Sequence, residues 1–198
     1  LHTLLPDAHV EAPTAISVVL AGILLKTGGY GMIRFGAMVF PGEWVEYSFV
    51  IAVFAVISVV YGGLNALAAR DLKRMVAYAS VSHMGFVVLG FAAANQTAMQ
   101  GAVFQMASHG LVSAMLFLIA GVLQDRAGNR DVENFSGLHQ QMPVYTAFIL
   151  LAFFAAMGIP GFSAFIGEVL VLFGSFASAG LPHALPVIAT LGILLSAG

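Results

Sequence analysis

The chain is 198 residues long, 60% hydrophobic and 8% charged, with a formal net charge of −2 and no cysteine. Soluble globular domains have roughly 45–50% apolar and about 25% charged residues, so a soluble enzyme, a nucleic-acid-binding protein and a disordered linker are excluded. The lack of cysteine excludes disulfide, iron–sulfur and thiolate metal sites within this chain. The composition is that of a polytopic membrane protein.

Long stretches without charged residues predict the membrane spans, since a helix needs about 20 apolar residues to cross a ~30 Å hydrocarbon core. We predict an all-α transmembrane helix bundle that forms one domain over residues 1–198, with five complete spans and part of a sixth. The fifth span is expected to break at Gly158–Gly161, because Pro160 cannot continue a helix. In chain order the spans are approximately Thr14–Phe35, Tyr47–Ala68, Met75–Ala94, Ala98–Gln124, Pro143–Ser178 and a last one that starts near His183.

Basic residues predict the orientation of the bundle. The loop of residues 70–74 holds three of them and the loop of residues 125–142 holds two, whereas the connections 36–46 and 95–97 hold none. Because Lys and Arg concentrate in short cytoplasmic loops, we expect the first two loops to face the cytoplasm. Alternating spans then place the segment Pro6–Pro13 on the same side.

Four protonatable side chains interrupt the apolar runs, each on a different span. Lys26 lies twelve residues into the first span, roughly 18 Å along a helix that rises ~1.5 Å per residue. His83 lies eight residues into the third span, and His109 lies eleven residues into the fourth. Glu168 follows Pro160 by eight residues, about 12 Å along the second half of the broken span. All four are therefore expected near the middle of the membrane.

Each of these side chains also has a structural explanation. Lys26 could extend to the membrane surface, Glu168 could be a buried acid satisfied by a neighbouring helix, and each histidine could be a neutral hydrogen-bonding group between helices. A charge at the bilayer centre costs roughly 2.5–3.5 kcal/mol, however, so such groups normally face the bundle interior or water and mark a functional path. The central depth of Lys26 argues against extension to either surface.

The surroundings of these residues favour a path for protons. On the first span Gly22, Lys26 and Gly29 share one helix face, which lets another backbone or water approach the ammonium group. On the fourth span, polar residues at i, i+4 and i+8 form a hydrogen-bonding row about 12 Å long. The row could also serve only to hold helices together. Its members are Gln105, His109 and Ser113, with Ser108 beside them.

Several motifs resemble one known family. They are the run Leu5–Pro13 (LPDAHVEAP), the run Leu24–Gly31 (LLKTGGYG), the segment Asp71–Gly85, the break Gly158–Gly161 (GIPG) and the pair Gly167-Glu168. Together they resemble the antiporter-like membrane subunits of respiratory complex I, and the resemblance extends over essentially the whole chain. The chain lacks an initiator Met and ends in an apolar run, so we expect it to be a piece of a longer protein.

The resemblance implies a subunit of fourteen helices with two inverted five-helix repeats, of which this chain runs from the end of helix 7 to the start of helix 13. Lys26 matches the central lysine of the family's helix 8. Glu168 matches the acid on broken helix 12 in one branch of the family, where sibling subunits carry lysine. His83 and His109 match the histidines between them. The family's glutamate on helix 5 and its lysine partner on helix 7 are expected upstream of Leu1.

The same resemblance implies the function. It predicts a proton-translocating subunit of an NADH–quinone oxidoreductase that moves protons along Lys26, His83, His109 and Glu168 without redox chemistry of its own. This chain is then expected to bind no cofactor and no metal, while FMN, iron–sulfur clusters and quinone belong to other parts of the complex. The predicted partners are the other membrane subunits, including sibling antiporter-like subunits, and the lipid bilayer of a bacterial inner membrane, with no nucleic acid.

Two alternatives remain open at this stage. A multisubunit cation/proton antiporter of the Mrp type or a membrane-bound hydrogenase would contain a subunit with the same fold, and the flanking genes would distinguish them. A purely structural membrane scaffold would use the polar residues only to pack helices. The scaffold predicts that neutral isosteres at Lys26 and Glu168 leave function intact.

Overall fold

The computed structural model describes residues 4–178 and 181–196, and side chains as far as Leu191. Leu1 and Gly198, the ends of the predicted domain, lie outside the described residues. The fold is an all-α bundle, and its only β-type pairing among the described residues is one isolated bridge. The helices are α1 (Leu4–Glu11), α2 (Thr14–Ala37), α3 (Pro41–Glu46), α4 (Ser48–Ala68), α5 (Leu72–Ala92), α6 (Gln96–Ala127), α7 (Leu138–Gln141), α8 (Pro143–Ala156), α9 (Ser163–Ala177) and α10 (Ala184–Ser196).

The predicted spans are confirmed. Helices α2, α4, α5 and α6 are each long and apolar enough to cross a membrane. The fifth span consists of the two short apolar helices α8 and α9, which are separated at the predicted break. Gly158 has a φ of 64° there, a left-handed conformation that glycine adopts without steric cost, and Pro160 follows it. Helix α10 accounts for the beginning of the sixth span.

Helix α2 differs from the regular span that the apolar pattern predicts. Two of its segments, Leu20–Leu24 and Met32–Ala37, have π-helical hydrogen bonding, and ordinary α-helix lies before and between them. A π-helical turn inserts an extra residue and rotates the side chains that follow it. The direction in which Lys26 points is therefore set by a local feature that hydrophobic periodicity does not reveal.

Local signals fix where the other spans begin and end. Asp71 caps α5 by accepting a hydrogen bond from the backbone N–H of Arg74, and Asn95 caps α6 by accepting one from Ala98. These side chains satisfy backbone donors that the first turn leaves unpaired. Gly128, with a φ of 63°, ends α6, and Pro143 occupies the start of α8, where its missing N–H costs nothing.

Small residues bring the spans into close contact. Helix α4 packs along α5, and α6 packs along α9. A Cβ atom on Gly85 of α5 would lie 2.9 Å from the carbonyl oxygen of Ala55, and one on Gly101 of α6 would lie 2.7 Å from the backbone nitrogen of Val171. Helices in membranes associate through such close backbone approach. The close packing fixes α5, α6 and α9, which carry three of the four predicted ionisable residues.

Within the described residues, the core consists of three apolar clusters, and a polar layer separates the two larger ones. The first contains Phe86 and Ala102, and the second contains Val76 and Phe117. On α5 and α6 the buried side chains between these clusters are polar. We call this group, with its neighbours from α2 and α9, the polar layer: Lys26, Ser80, His83, Gln105, Ser108, His109, Ser113 and Glu168. The polar layer thus interrupts the apolar core between the first and second clusters.

The loops predicted to share one side of the membrane do meet. Backbone hydrogen bonds join Leu72 to Arg130 and Val132 to Arg70, each 2.9 Å long. The Arg130 side chain forms an ion pair of 3.0 Å with Asp71 and donates a hydrogen bond of 3.0 Å to the carbonyl oxygen of Val10 at the end of α1. Arg130 therefore ties together three segments on one side of the bundle. That this side faces the cytoplasm stays a prediction.

Replacement of Arg130 by methionine should destabilise the protein. The change removes an ion pair and a hydrogen bond to a helix-terminal carbonyl, both partly shielded from solvent. We expect the free energy of unfolding of the full-length protein to fall by roughly 1–2 kcal/mol, measured by thermal denaturation in detergent. Arg126→Met is the matched control, because the guanidinium of Arg126 is exposed and contacts the thioether of Met142. Equal stability of the two variants would refute the role assigned to Arg130.

Candidate functional site

The polar layer brings the four ionisable side chains predicted from the sequence together in one row. At its first end the Lys26 ammonium lies 2.7 Å from Nδ1 of His109 and donates a hydrogen bond to the backbone oxygen of Ala21. The side chain of His109 is almost fully buried. When Lys26 is charged, Nδ1 must act as the acceptor, which leaves the proton of a neutral His109 on Nε2.

The two histidines form the middle of the row. Their ring centroids are 5.5 Å apart and the ring planes are inclined by 44°, so no direct hydrogen bond is implied. Nε2 of His109 is buried and has no hydrogen-bond partner among the described residues. Both rings line a small cavity with Gln105 and Ser113 that has room for about one water molecule. A water there could bridge polar groups that lack partners.

The second end of the row is Glu168 on α9. Its Oε1 atom lies 3.3 Å from Nδ1 of His83, although the geometry is not that of an aligned hydrogen bond. The same oxygen accepts a hydrogen bond of 3.3 Å from Nε2 of Gln105. Only 6% of Glu168 is exposed. The carboxyl group of Glu168 thus has a histidine and an amide as its polar neighbours.

The helix break positions the carboxyl group of Glu168. A Cβ atom on Gly158 would overlap Oε2 of Glu168, so the carboxyl group packs directly against this glycine. The break therefore serves two purposes: Gly158 adopts a left-handed conformation and also leaves the space that the carboxyl occupies. The sequence predicted the break, but not its contact with Glu168 ten residues later.

Another backbone approaches this face of α2 at Gly22, whereas Gly29 faces the side chains of Met106 and Phe91. Gly110 of α6 is so close that a Cβ atom on it would lie 2.9 Å from the carbonyl oxygen of Gly22 and 3.6 Å from Cε of Lys26. The π-helical segment Leu20–Leu24 ends two residues before Lys26. Its residue Ala21 provides the carbonyl oxygen that accepts the hydrogen bond from Lys26. This helix irregularity and the opposing glycine together hold the lysine against His109.

The serines of the fourth span have local partners. The hydroxyl of Ser113 donates to the carbonyl oxygen of His109 in its own helix, at 2.6 Å. The hydroxyl of Ser108 lies 2.7 Å from that of Ser163 at the start of α9. The contact of Ser108 joins α6 to α9 and supports the helix-packing interpretation, whereas the hydrogen bond of Ser113 lies within α6. Gln105 and His109 are the members of the row that contact other ionisable groups.

His9 is a buried histidine to which the sequence analysis assigned no role. It is fully buried at the end of α1, stacks on Phe117 with ring centroids 4.4 Å apart, and has no partner for either ring nitrogen among the described residues. Burial, together with the nearby positive charges of Lys26 and Lys73, lowers the pKa of His9 to about 4, and burial is the largest of these causes. His9 is therefore neutral at neutral pH. The motif that contains it gave no signal of this burial.

No group of three or more His, Asp or Glu side chains in the described part of the chain is arranged to hold a metal ion. The polar layer itself contains two histidines and one carboxylate, with a lysine ammonium at one end. A cation so close to the imidazole groups opposes the binding of a second cation. That the chain binds no cofactor stays a prediction.

Comparison with known proteins places the chain in a family of transmembrane proteins. Residues 1–195 match the family model described as NADH:quinone oxidoreductase/Mrp antiporter, transmembrane. The chain is 45% identical over 197 residues to NADH-quinone oxidoreductase subunit M of Rhodobacter capsulatus, an alignment that covers 100% of this chain and 38% of the relative. The chain thus spans about two fifths of the length of the curated relatives that it matches.

Solved structures have the same fold. The chain superimposes with a TM-score of 0.92 on a chain of respiratory complex I from Thermus thermophilus with bound NADH, at 34% identity, covering 100% of this chain and 42% of the other. It superimposes equally well, with a TM-score of 0.92, on a chain of the Mrp complex from Dietzia sp. DQ12-45-1b, at 25% identity, covering 98% of this chain and 36% of the other. The fold is therefore shared by both kinds of complex.

Alanine at Gly158 should cost more stability than alanine at Gly128. Both glycines have a φ close to 64°, so the backbone strain of roughly 1–3 kcal/mol is the same. Only at Gly158 would the new methyl group also meet the Glu168 carboxyl, which should add roughly 1 kcal/mol or more. Thermal denaturation of the full-length variants measures the difference.

A double substitution tests whether Glu168 causes the additional cost. Removal of the carboxyl group by Glu168→Ala should reduce the penalty of Gly158→Ala to that of Gly128→Ala, because the clash is gone. Glu168→Ala should leave the penalty of Gly128→Ala unchanged. Additive effects of Gly158→Ala and Glu168→Ala would show that the contact has no energetic consequence.

Proposed function

The chain belongs to the NADH:quinone oxidoreductase/Mrp antiporter transmembrane family, and on this premise we propose that it is part of a proton-translocating membrane subunit of NADH–quinone oxidoreductase, of the subunit M (chain 4) type. In this proposal it moves protons between Lys26 and Glu168 while electrons pass from NADH to quinone elsewhere in the complex. Its partners are the other membrane subunits of that complex, sibling antiporter-like subunits included. The bacterial relatives favour a location in a bacterial inner membrane.

The observation that carries the proposal is the alignment of four ionisable side chains in one row between two apolar clusters. In order they are Lys26, His109, His83 and Glu168. One end is in direct contact at 2.7 Å, and the other end is separated by 3.3 Å. The gap between the two imidazole rings is short enough for one bridging water. A helix-packing scaffold does not need four ionisable groups in one row, since each polar group would only need a local partner.

The chemistry of the row suits the transfer of protons in steps. An imidazole accepts a proton on one ring nitrogen and releases one from the other. A proton passed from Lys26 to Nδ1 of His109 would therefore allow the proton on Nε2 to leave towards His83. Glu168 would receive it and release it from the helix break, where unpaired backbone groups can interact with water.

The close spacing of the row suggests how proton transfer is coupled to electron transfer in the redox part of the complex. Its members are close enough to interact electrostatically in a region of low dielectric constant, so a change of charge on one alters the proton affinity of the next. A signal from the redox part of the complex would need to perturb only one end. The glutamate and lysine expected upstream of Leu1 would extend the row beyond Lys26.

The relatives favour this complex over an Mrp-type antiporter. The fold does not discriminate, because the TM-scores are equal. Sequence identity does discriminate between them, because it is 34% to the complex I chain and 25% to the Mrp chain. It is 45% to a subunit M. The acid at Glu168 is also the residue that the resemblance assigns to this branch rather than to its lysine-bearing siblings.

Removal of the amine at Lys26 should strongly reduce proton pumping without preventing assembly of the complex. Lys26→Ala is expected to lower proton uptake by membrane vesicles and NADH–quinone reductase activity together, by roughly tenfold or more, with the complex still assembled on immunoblots. Lys26→Arg should not restore full activity, because a guanidinium group does not lose its proton in proteins.

Arg34→Ala is the matched control for Lys26. Arg34 is a basic residue on the same helix, is exposed, and its guanidinium lies near Met38 and over the Tyr30 ring. Its loss should leave pumping close to that of the wild type. Wild-type pumping in Lys26→Ala would refute the assignment of Lys26 as the proton switch.

Substitutions at Glu168 should separate proton transfer from packing. Glu168→Gln retains the size but not the titrating group, so pumping should fall by roughly tenfold or more. Glu168→Asp retains the titrating group one methylene further back and should keep partial activity. Glu133→Gln is the control, since Glu133 is exposed on the loop side of the bundle. If Glu168→Gln pumps normally, or if Asp is as inactive as Gln, the proposed role of Glu168 is wrong.

A further inference from the structure

The side-chain amide of Gln105 has a hydrogen-bond partner for its nitrogen but none for its oxygen among the described residues. It lies in the middle of α6 and is fully buried. Its Nε2 donates to Oε1 of Glu168 at 3.3 Å, while its own Oε1 is buried without a hydrogen-bond partner in the described structure. An unpaired buried acceptor costs roughly 1–3 kcal/mol. A side chain that served only to fill space at this position would be more stable as an apolar residue.

The space around the amide is kept open by glycine. A Cβ atom on Gly167 would lie 2.5 Å from Oε1 of Gln105 and 2.9 Å from its Cβ. The absence of a side chain there leaves room for either end of the amide against α9. Rotation about the last torsion of glutamine exchanges its oxygen and nitrogen, and this torsion has a broad, roughly two-fold preference.

Few charged groups share this environment. His83 of α5 faces the carboxyl group, and His109 of α6 and Lys26 of α2 follow along the row. Helices α8 and α10, which also pack against α9, contain no Asp, Glu, Lys, Arg or His in their sequences. The polar groups that contact the carboxyl of Glu168 are therefore His83 on one side and the Gln105 amide on the other.

We propose that Gln105 is a positioning residue that follows the proton on Glu168 by turning its amide. When Glu168 is ionised, Nε2 of Gln105 donates to the carboxylate, as observed. When Glu168 is protonated, the amide turns so that Oε1 accepts the hydrogen bond of the carboxylic acid. The unpaired oxygen of the observed arrangement is the acceptor that the second arrangement uses. The inference rests on the proposed function, in which Glu168 gains and loses a proton during turnover.

A primary amide is suited to this task because it contains both a donor and an acceptor. A hydrogen bond to the ionised carboxylate is roughly twice as strong as one between neutral groups, so Gln105 favours the ionised form and eases proton release. Ser108 and Ser113 differ in this respect, since their hydroxyl groups are already satisfied by Ser163 and by the carbonyl oxygen of His109.

The test compares Gln105→Met with Gln124→Met in the intact complex. Methionine has a similar length and no strong donor. Gln124 is on the same helix and also has a buried oxygen without a partner among the described residues, but it lines the loop-side cavity with Arg70 and Asp131. Two measurements are made: the pH profile of proton uptake by vesicles, and the infrared band of the protonated Glu168 carboxyl, identified by its loss in Glu168→Gln.

Gln105→Met should move the low-pH limb of the uptake profile to higher pH by roughly one unit, because the ionised carboxyl loses its stronger hydrogen bond. The carboxyl band should move to higher frequency, because its hydroxyl has lost an acceptor. Gln124→Met should change neither. If Gln105→Met leaves both the band and the profile as in Gln124→Met, the inference is overturned and the proposed function stands.

A second variant covers the case in which Gln105→Met does not assemble. Gln105→Glu has the size of glutamine, and two carboxyl groups so close together titrate as a pair that shares a proton. The band of Glu168 should then change shape and depend on pH over a wider range. An unchanged band in Gln105→Glu would equally overturn the inference. Normal pumping by Glu168→Gln would instead overturn the proposed function, whatever the band does.

Discussion

The cost of placing ionisable groups inside an apolar bundle governs the arrangement of this protein. A charge at the bilayer centre costs several kcal/mol unless it finds a partner or water, and four such groups lie on four separate helices. The structure meets this cost by gathering them into one layer, where Lys26 contacts His109 and Glu168 lies beside His83. The helices that carry them are therefore held to a common depth and a common orientation.

The apolar clusters on either side of the layer are as important as the polar groups. One cluster contains Phe86 and the other contains Phe117, and both close off the layer along the direction of the helices. The contacts between polar side chains therefore run across the bundle, from helix to helix, rather than along it. This geometry supports the proposed function, in which protons pass between Lys26 and Glu168.

Irregular backbone occurs where the ionisable residues need it. The π-helical segment before Lys26 supplies the carbonyl of Ala21, and the break at Gly158 makes room for the carboxyl group of Glu168. In both places an element of regular helix would be more stable by itself. The neighbouring helices compensate through close contacts such as that between Gly22 and Gly110. The local irregularity and the close packing are thus parts of one arrangement.

The sequence by itself determined the number of spans, the break in the fifth span and the four residues of the row, because charge-free lengths, Pro160 and isolated protonatable residues are local signals. It did not determine which of them would touch. The contacts of Lys26 with His109 and of Gln105 with Glu168 join residues 83 and 63 positions apart, and they depend on how the helices rotate and approach. The π-helical turns of α2 and the glycine contacts of α6 decide that rotation, and neither produces a periodic pattern of apolar residues. Only the tertiary structure could therefore show that the polar residues lie together in a single row.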